Sequence, residues 1–388
     1  MNLFRIKKHL KKVPFIWILL SFLYRKAKPF YKVVDFVWGS KAVSVLFNCL
    51  LKKALENNKA LSIDVLKENK RVYFVYYYDD NFSFLTSDIN FVDYKEEKDI
   101  VILWGVKPSF HKIKIILRAI KEKTAVIVGE DAFLRSQDIA VNGAKGCGFI
   151  FDTTGVYYDS RLDNCIDSFL NTDWIISNDE KDLSLKAMSL IKDRKVSKYN
   201  VAKPVDLVLP GTNKHKVLVI DQRKGDQSIT GARANASSFK KMIEDAVQEN
   251  PNSDIILKTH PDGNSGKLGG YYQKYKVKHK NVYKFTENTN PVSLLEKIDK
   301  VYVCSSGMGF EAAILGKEVI CYGSPFYSGW GITEDRGYRR KRNKKRTIEE
   351  VFYSAYIQNS IYFSPINGER CDIITLINQL ADVSFGEL

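Results

Sequence analysis

The chain has 388 residues, a length that suits two domains, and its 45% hydrophobic content is ordinary for a globular protein with proper cores. With 60 Lys and Arg against 45 Asp and Glu, the net charge of +15 calls for an anionic partner: nucleic acid, an acidic substrate or an anionic membrane. Six scattered cysteines without a CxxC pair exclude a zinc framework and read as reduced, buried thiols of a cytosolic protein.

Residues 1–70 form a basic and amphipathic segment followed by a helical region. Its apolar run, Val13 to Tyr24, lies between Lys and Arg clusters and is too short to cross ~30 Å of hydrocarbon as a helix. A signal peptide fits the basic-then-apolar order, but Arg25-Lys26-Ala27-Lys28 follows and no clear small-residue cleavage site is present. Two readings remain: an interfacial anchor, with aromatics at the headgroup boundary and cations on anionic lipid, or a buried core helix.

Residues 71–205 make the first α/β unit. Strands are expected at 71–78, 99–104, 124–129 and 148–152, with a helix at 111–121. After the connector from Pro204 to Pro210, residues 212–335 make the second. Strands are expected there at 216–220, 254–257, 301–303 and 318–322, and helices at 237–249, 292–297 and 311–315. Strands alternating with helices predict parallel sheets, so the fold class is α/β, with two Rossmann-type domains and an interdomain cleft. Residues 336–388 add a second basic cluster, for an anionic partner or, in the bland reading, a solvated face, and C-terminal helices that pack back across the domains.

The strand ends carry the chemistry. Cys304-Ser305-Ser306-Gly307-Met308-Gly309-Phe310-Glu311 follows a strand and opens a helix, as in a nucleotide-phosphate seat where Gly307 and Gly309 let the backbone approach. It is neither a P-loop nor a dinucleotide fingerprint, and a plain serine-capped turn is the alternative. At Lys258-Thr259-His260-Pro261-Asp262, Lys258 and His260 suit a phosphate or carboxylate; a Pro-Asp turn is the alternative. The loop Asp221 to Ile229 offers Gln222 to a substrate and an Asp as nucleophile or base, or is a solvated loop with capping residues. In Gly129 to Ser136, Glu130 and Asp131 are adjacent and Arg135 could grip a carboxylate; a salt-bridged helix start explains the same residues. Pro325 to Gly331 either covers a base or sugar or packs between domains, and Asp79-Asp80 reads as a turn, not a metal site.

Taken together and in this order, Gly129–Ser136, Phe151-Asp152 with Gly155–Asp159, Asp221–Ile229, Lys258–Asp262, Cys304–Ala312 and Phe326–Thr333 resemble the capsule polysaccharide β-Kdo transferases of Gram-negative bacteria. The resemblance covers roughly 125–350 and implies a GT-B fold, a CMP-Kdo donor held mainly by the second domain, and metal-independent transfer with retained β configuration. It implies that His260, Ser305, Ser306 and Glu311 bind CMP, with Lys258 and Gly307 beside them. Asp226 would be the nucleophile and Glu130 an acid/base or acceptor-side group, with Asp131, Arg135 and Gln222 toward substrate. No cofactor beyond the donor is implied. The partners would be a CMP-sugar, a lipid-linked or oligosaccharide acceptor and the inner face of the cytoplasmic membrane, not nucleic acid. Another CMP-ulosonic acid or a UDP-sugar as donor, or a non-catalytic basic binding protein, are the alternatives.

Overall fold

The computed structural model describes residues 41–58, 70–75, 90–91, 98–138, 144–259, 269–338, 340 and 342–385. The apolar run 13–24, Asp79-Asp80 and the segment 260–268 with His260 lie outside them. Among the described residues no helix is long and apolar enough to cross a membrane.

Two sheets organise the chain. The first is built on β1 (Arg71–Val75), β2 (Asn90–Phe91), β3 (Ile100–Trp104), β4 (Ala125–Asp131) and β5 (Gly148–Asp152), in the order 2-1-3-4-5. Helix α1 (Lys41–Leu55) and helix α2 (Phe110–Glu122) pack together on its core, and Ser109 caps α2. Pairs β1–β2, β1–β3 and β3–β4 are parallel, as the pattern predicts, but β4 and β5 are antiparallel. A parallel return needs a crossover, usually a helix. The described chain after β4 instead turns through Ser136, which bridges to Tyr199.

Two helices the pattern did not reveal follow: the short α3 (Cys165–Leu170), capped by Asn164, and the long α4 (Asn178–Asp193), opened by a Ser177–Glu180 capping box.

The second sheet is fully parallel. It comprises β6 (Lys216–Ile220), β7 (Asp254–Lys258), β8 (Val282–Phe285), β9 (Lys300–Val303), β10 (Glu318–Cys321) and β11 (Glu334–Asp335), in the order 11-10-9-6-7-8. Helices α5 (Gln227–Gly231), α6 (Ala236–Glu249), α7 (Pro291–Glu296) and α8 (Met308–Ile314) connect its strands. The central strands are almost wholly buried, as a sheet covered on both faces requires. Chain order reverses between β6 and β9, which makes the crevice beyond their carboxyl ends the place where such sheets bind ligands. β8 was not foreseen, because Val-Tyr-Lys-Phe is short and carries a lysine in its middle.

The tail does return, but not only as helices. After α9 (Ile348–Phe352) and a π-helical turn (Tyr353–Gln358), β12 (Ile361–Phe363) and β13 (Arg370–Cys371) extend the first sheet beyond β5. Helix α10 (Ile373–Phe385) then packs on α4. One contiguous apolar cluster joins both units and the tail: Phe133 stacks 4.3 Å from Phe326 and 4.9 Å from Tyr356, which lies 5.7 Å from Phe310. Phe326, Tyr327 and Trp330 are buried in it, so the aromatic loop 325–331 is packing between the units.

The described arginines of the basic cluster do not form a solvated face. Arg340 and Arg342 converge on buried Asp167, at 2.7 and 3.0 Å. Arg342 also donates to Pro325 O and lies over Trp330. Arg346 donates to the carbonyls of Leu170, Thr172 and Trp174 at the end of α3, and Arg336 pairs with Glu249 and Glu334. All six cysteines are free thiols, but only Cys147, Cys304 and Cys321 are buried; Cys165 and Cys371 are half-buried and Cys49 is exposed.

Candidate active site

Three strand ends meet at the reversal point of the second sheet. Gln222, one residue past Asp221 at the end of β6, donates through Nε2 to Ser305 Oγ at 3.0 Å and accepts from Ser305 N at 2.9 Å. Ser228 Oγ, in the first turn of α5, lies 3.3 Å from Ser305 Oγ. Ser306 Oγ accepts from Met308 N at 3.3 Å, and Tyr327 donates to Ser306 O at 2.7 Å. Gly307 is exposed, and nothing stands within 4 Å of where a Cβ would be, so this is the open position of the turn. Gly309 is different: a Cβ there would lie 2.1 Å from the Tyr327 hydroxyl, so it serves close packing and not a ligand. Lys258 reaches Glu287 O at 3.4 Å, and burial pulls its ammonium below its ordinary value while Glu287 opposes.

The two aspartates of the β6–α5 loop separate cleanly. Asp221 is buried and accepts from three backbone N–H groups, those of Gln222, Tyr271 and Tyr272, at 2.8 to 3.2 Å. A Cβ on Gly270 would strike its Oδ2 at 1.9 Å, so Asp221 holds the loop through Gly270. Asp226 is exposed; it caps α5 by accepting from Ser228 N at 2.8 Å.

At the carboxyl end of β4, Glu130 and Asp131 diverge. Burial, then the neighbouring Asp131 carboxylate, push the Glu130 carboxyl up to about 7, against Lys198 and the Tyr158 hydroxyl. Asp131 Oδ1 accepts from Arg135 Nε at 2.9 Å. Arg135 is only 3% exposed; its Nη1 is turned to Ser136 Oγ at 2.6 Å and to backbone carbonyls. As placed, its guanidinium orients Asp131 and supports the loop, as the salt-bridged reading of this segment had it, instead of facing a cleft.

Sequence reasoning missed Ser197-Lys198-Tyr199-Asn200, which joins the two halves. Lys198 O accepts from Arg135 N at 3.1 Å and Ser136 N at 3.4 Å, and Asn200 Nδ2 donates to Ser136 O at 3.1 Å. On the other side, Ser197 Oγ donates to Glu311 Oε1 at 2.6 Å. Glu311 is 6% exposed; its carboxyl is raised by burial, and its Oε2 has no partner among the described residues. Ser160 donates to Gly231 O from its backbone at 2.9 Å and its hydroxyl at 2.7 Å, so the Tyr157–Ser160 loop rests on the end of α5. Glu130 from the first sheet and Asp226 from the second are thereby tied to one framework. No cluster of metal-binding side chains occurs among the described residues.

Two Rossmann-type units, joined through the Ser160–Gly231 and Ser197–Glu311 contacts, define a GT-B-like scaffold. The chain belongs to the capsule polysaccharide biosynthesis protein family, which it matches over residues 99–371. It is 35% identical over 301 residues to the capsule polysaccharide modification protein LipA of Neisseria meningitidis, covering 75% of this chain and 42% of LipA. It is 32% identical over 268 residues to the lipopolysaccharide-processing protein LpsZ of Rhizobium meliloti, covering 68% of this chain and 60% of LpsZ. The chain thus spans less than half the length of LipA. Among solved structures it is similar to the β-Kdo 2,4 transferase of Thermosulfurimonas dismutans KpsC, with a TM-score of 0.72 and 34% identity over 80% of this chain and 97% of that one. The β-Kdo 2,7 transferase of the same KpsC shares the fold, with a TM-score of 0.60 and 21% identity over 81% and 99%.

Proposed function

We propose that this chain is a retaining glycosyltransferase that moves Kdo from CMP-Kdo to a lipid-linked or saccharide acceptor in capsule or related surface-polysaccharide synthesis. The observation that carries the reading is the Gln222–Ser228–Ser305 convergence at the reversal point, with open Gly307 beside it and an exposed carboxylate, Asp226, on the adjoining helix. The similarity to a β-Kdo transferase supports the choice of sugar.

In this account Ser305, Ser306, Gly307, Lys258, His260 and Glu311 hold the CMP moiety, and Gln222 orients Ser305. Asp226 attacks the anomeric carbon; the C–O bond to the CMP phosphate breaks, and its electron pair leaves with CMP. A phosphate leaving group needs little protonation, so the acid/base work falls in the second step. There Glu130, in its ionised form, takes the acceptor hydroxyl's proton as that oxygen displaces Asp226. Two inversions give retention. Asp221 is a poor nucleophile because its oxygens are taken up by three N–H groups, each of which stabilises the carboxylate. Asp131, oriented by Arg135, lies toward the acceptor. No metal or further cofactor enters these steps, and the basic N-terminus would bring the protein to the inner membrane surface where a lipid-linked acceptor lies.

The test is CMP release and product analysis with purified protein, freshly generated CMP-Kdo and a lipid-linked acceptor. A β-Kdo product is expected; turnover of a UDP-sugar or another CMP-ulosonic acid in place of CMP-Kdo would overturn the choice of donor.

A further inference from the structure

The residues near the two sets of strand ends include four cations that are half-buried or buried, and three are already occupied. Lys112 donates to the carbonyls of Trp104 and Gly105. Arg135 is held by Asp131, Ser136 Oγ and main-chain oxygens. Lys258 reaches Glu287 O. Lys198 differs. Its backbone is fixed by Arg135 N and Ser136 N, but its ammonium makes no hydrogen bond or ion pair among the described residues; it lies 5.8 Å from the Tyr199 ring centroid.

An ammonium taken largely out of water needs acceptors, and an unsatisfied one is costly. We propose that the Lys198 ammonium, set between the Glu130–Asp131 pair of the first sheet and Glu311 of the second, receives the carboxylate of the donor's sugar acid. The inference rests on the Kdo-transferase reading and adds the residue that would make the site select an acid over a neutral sugar.

The surroundings leave the cation available. Burial opposes its charge, yet Tyr157, Tyr199, Asp131 and Glu130 around it raise it above its ordinary value, so it stays protonated. Of the nearby carboxylates, Asp131 is matched by Arg135. Glu130 and Glu311 are both raised by burial, which reduces the negative charge they set against Lys198. An incoming carboxylate would supply the missing acceptors to an ammonium fixed at the junction of donor seat and acid pair. The sequence marks this position only by an unremarked lysine after α4.

The experiment measures binding directly, so it reads out whether or not turnover occurs. Kdo and its C1 methyl ester are titrated by ligand-observed NMR against the wild type, Lys198→Met and Lys198→Arg. A charge-assisted hydrogen bond predicts that the wild type prefers the acid by roughly tenfold to a hundredfold. Lys198→Met should reduce that preference below about threefold, and Lys198→Arg should keep most of it. Equal binding of acid and ester by the wild type, or a preference that survives in a folded Lys198→Met, overturns the proposal. If the loss appears only with a carboxylate-bearing acceptor saccharide and not with Kdo, the carboxylate belongs to the acceptor and the donor assignment is wrong. Failure of the broader reading would look different: no CMP release from CMP-Kdo by the wild type, whatever the acid preference.

Discussion

In the proposed mechanism Glu130 meets two opposed demands. Burial and the Asp131 charge hold its carboxyl near 7 in the folded chain, against an ordinary value of 4.5. As a base it works only when ionised, so the second step should speed up as pH rises through about 7, and Glu130→Gln should abolish that limb of the rate profile while leaving the protein folded. Stability runs the other way. Below about 4.5 the carboxyl is protonated in both states; between there and 7 only the unfolded chain ionises, so stability falls as pH rises through the folded value. Glu130→Gln removes that loss and should be more stable than wild type at pH 8 by on the order of 1–3 kcal/mol, with little difference at pH 4. Denaturant titrations at the two pH values check this; equal stability at pH 8 would contradict it. Asp226, the proposed nucleophile, shows how much of the candidate site the residues alone disclosed. Its place in a polar loop after a strand was legible, but the sequence could not separate it from Asp221. What separates them is the backbone of Tyr271 and Tyr272, some fifty positions away, folding over one carboxylate and not the other.

At the scale of elements, the parallel order of the second sheet was legible because Lys-Val-Leu-Val-Ile, Asp-Ile-Ile-Leu and Val-Tyr-Val are short apolar runs separated by helical periods. The antiparallel β5 was not, since its Gly-Phe-Ile-Phe-Asp reads the same in either direction. Nor was the tail strand β12, whose role follows from its partner β5 and not from Ile-Tyr-Phe itself. The glycines of the site divide by what they face. Gly231→Ala would set a Cβ 2.3 Å from Tyr158 O, pushing the Tyr157–Ser160 loop off α5. It should cost about 1–3 kcal/mol and slow transfer through displacement of the Tyr158 and Asp226 segments. Gly307→Ala meets nothing in the protein, so it should leave thermal stability within about 0.5 kcal/mol yet raise the KM for the donor. Thermal melts with donor saturation curves on both variants test the pair, and a donor KM unchanged in Gly307→Ala would remove Gly307 from the seat.

For the whole molecule, the two sheets are bound by shared packing and by charge. The apolar cluster from Phe133 to Tyr356 crosses between the units, and Arg340 and Arg342 pair with buried Asp167. Removing one partner of a buried pair leaves the other uncompensated, so Arg342→Ala should destabilise by about 3 kcal/mol, near the lower end for such losses because Arg340 still reaches Asp167. Because the core is continuous, unfolding is expected as one transition. Truncation after Asn359 would strip β12 and β13 from the first sheet, uncover the β5 edge and take α10 off α4. The shortened chain should lose cooperative melting in calorimetry; a retained single transition at the wild-type temperature would show that the tail is dispensable. The net charge pointed to an anionic partner, but much of the 336–346 cluster is spent inside the protein on Asp167, Glu249 and main-chain carbonyls.

The central claim is that Asp226 carries the sugar between two displacements. It is tested most directly by intact-protein mass spectrometry after incubation with CMP-Kdo without acceptor, for the wild type and Asp226→Ala. The account predicts a mass gain of one Kdo unit in the wild type, mapped to Asp226 and absent from the variant. A gain that persists in Asp226→Ala, or one mapped to another carboxylate, would contradict it.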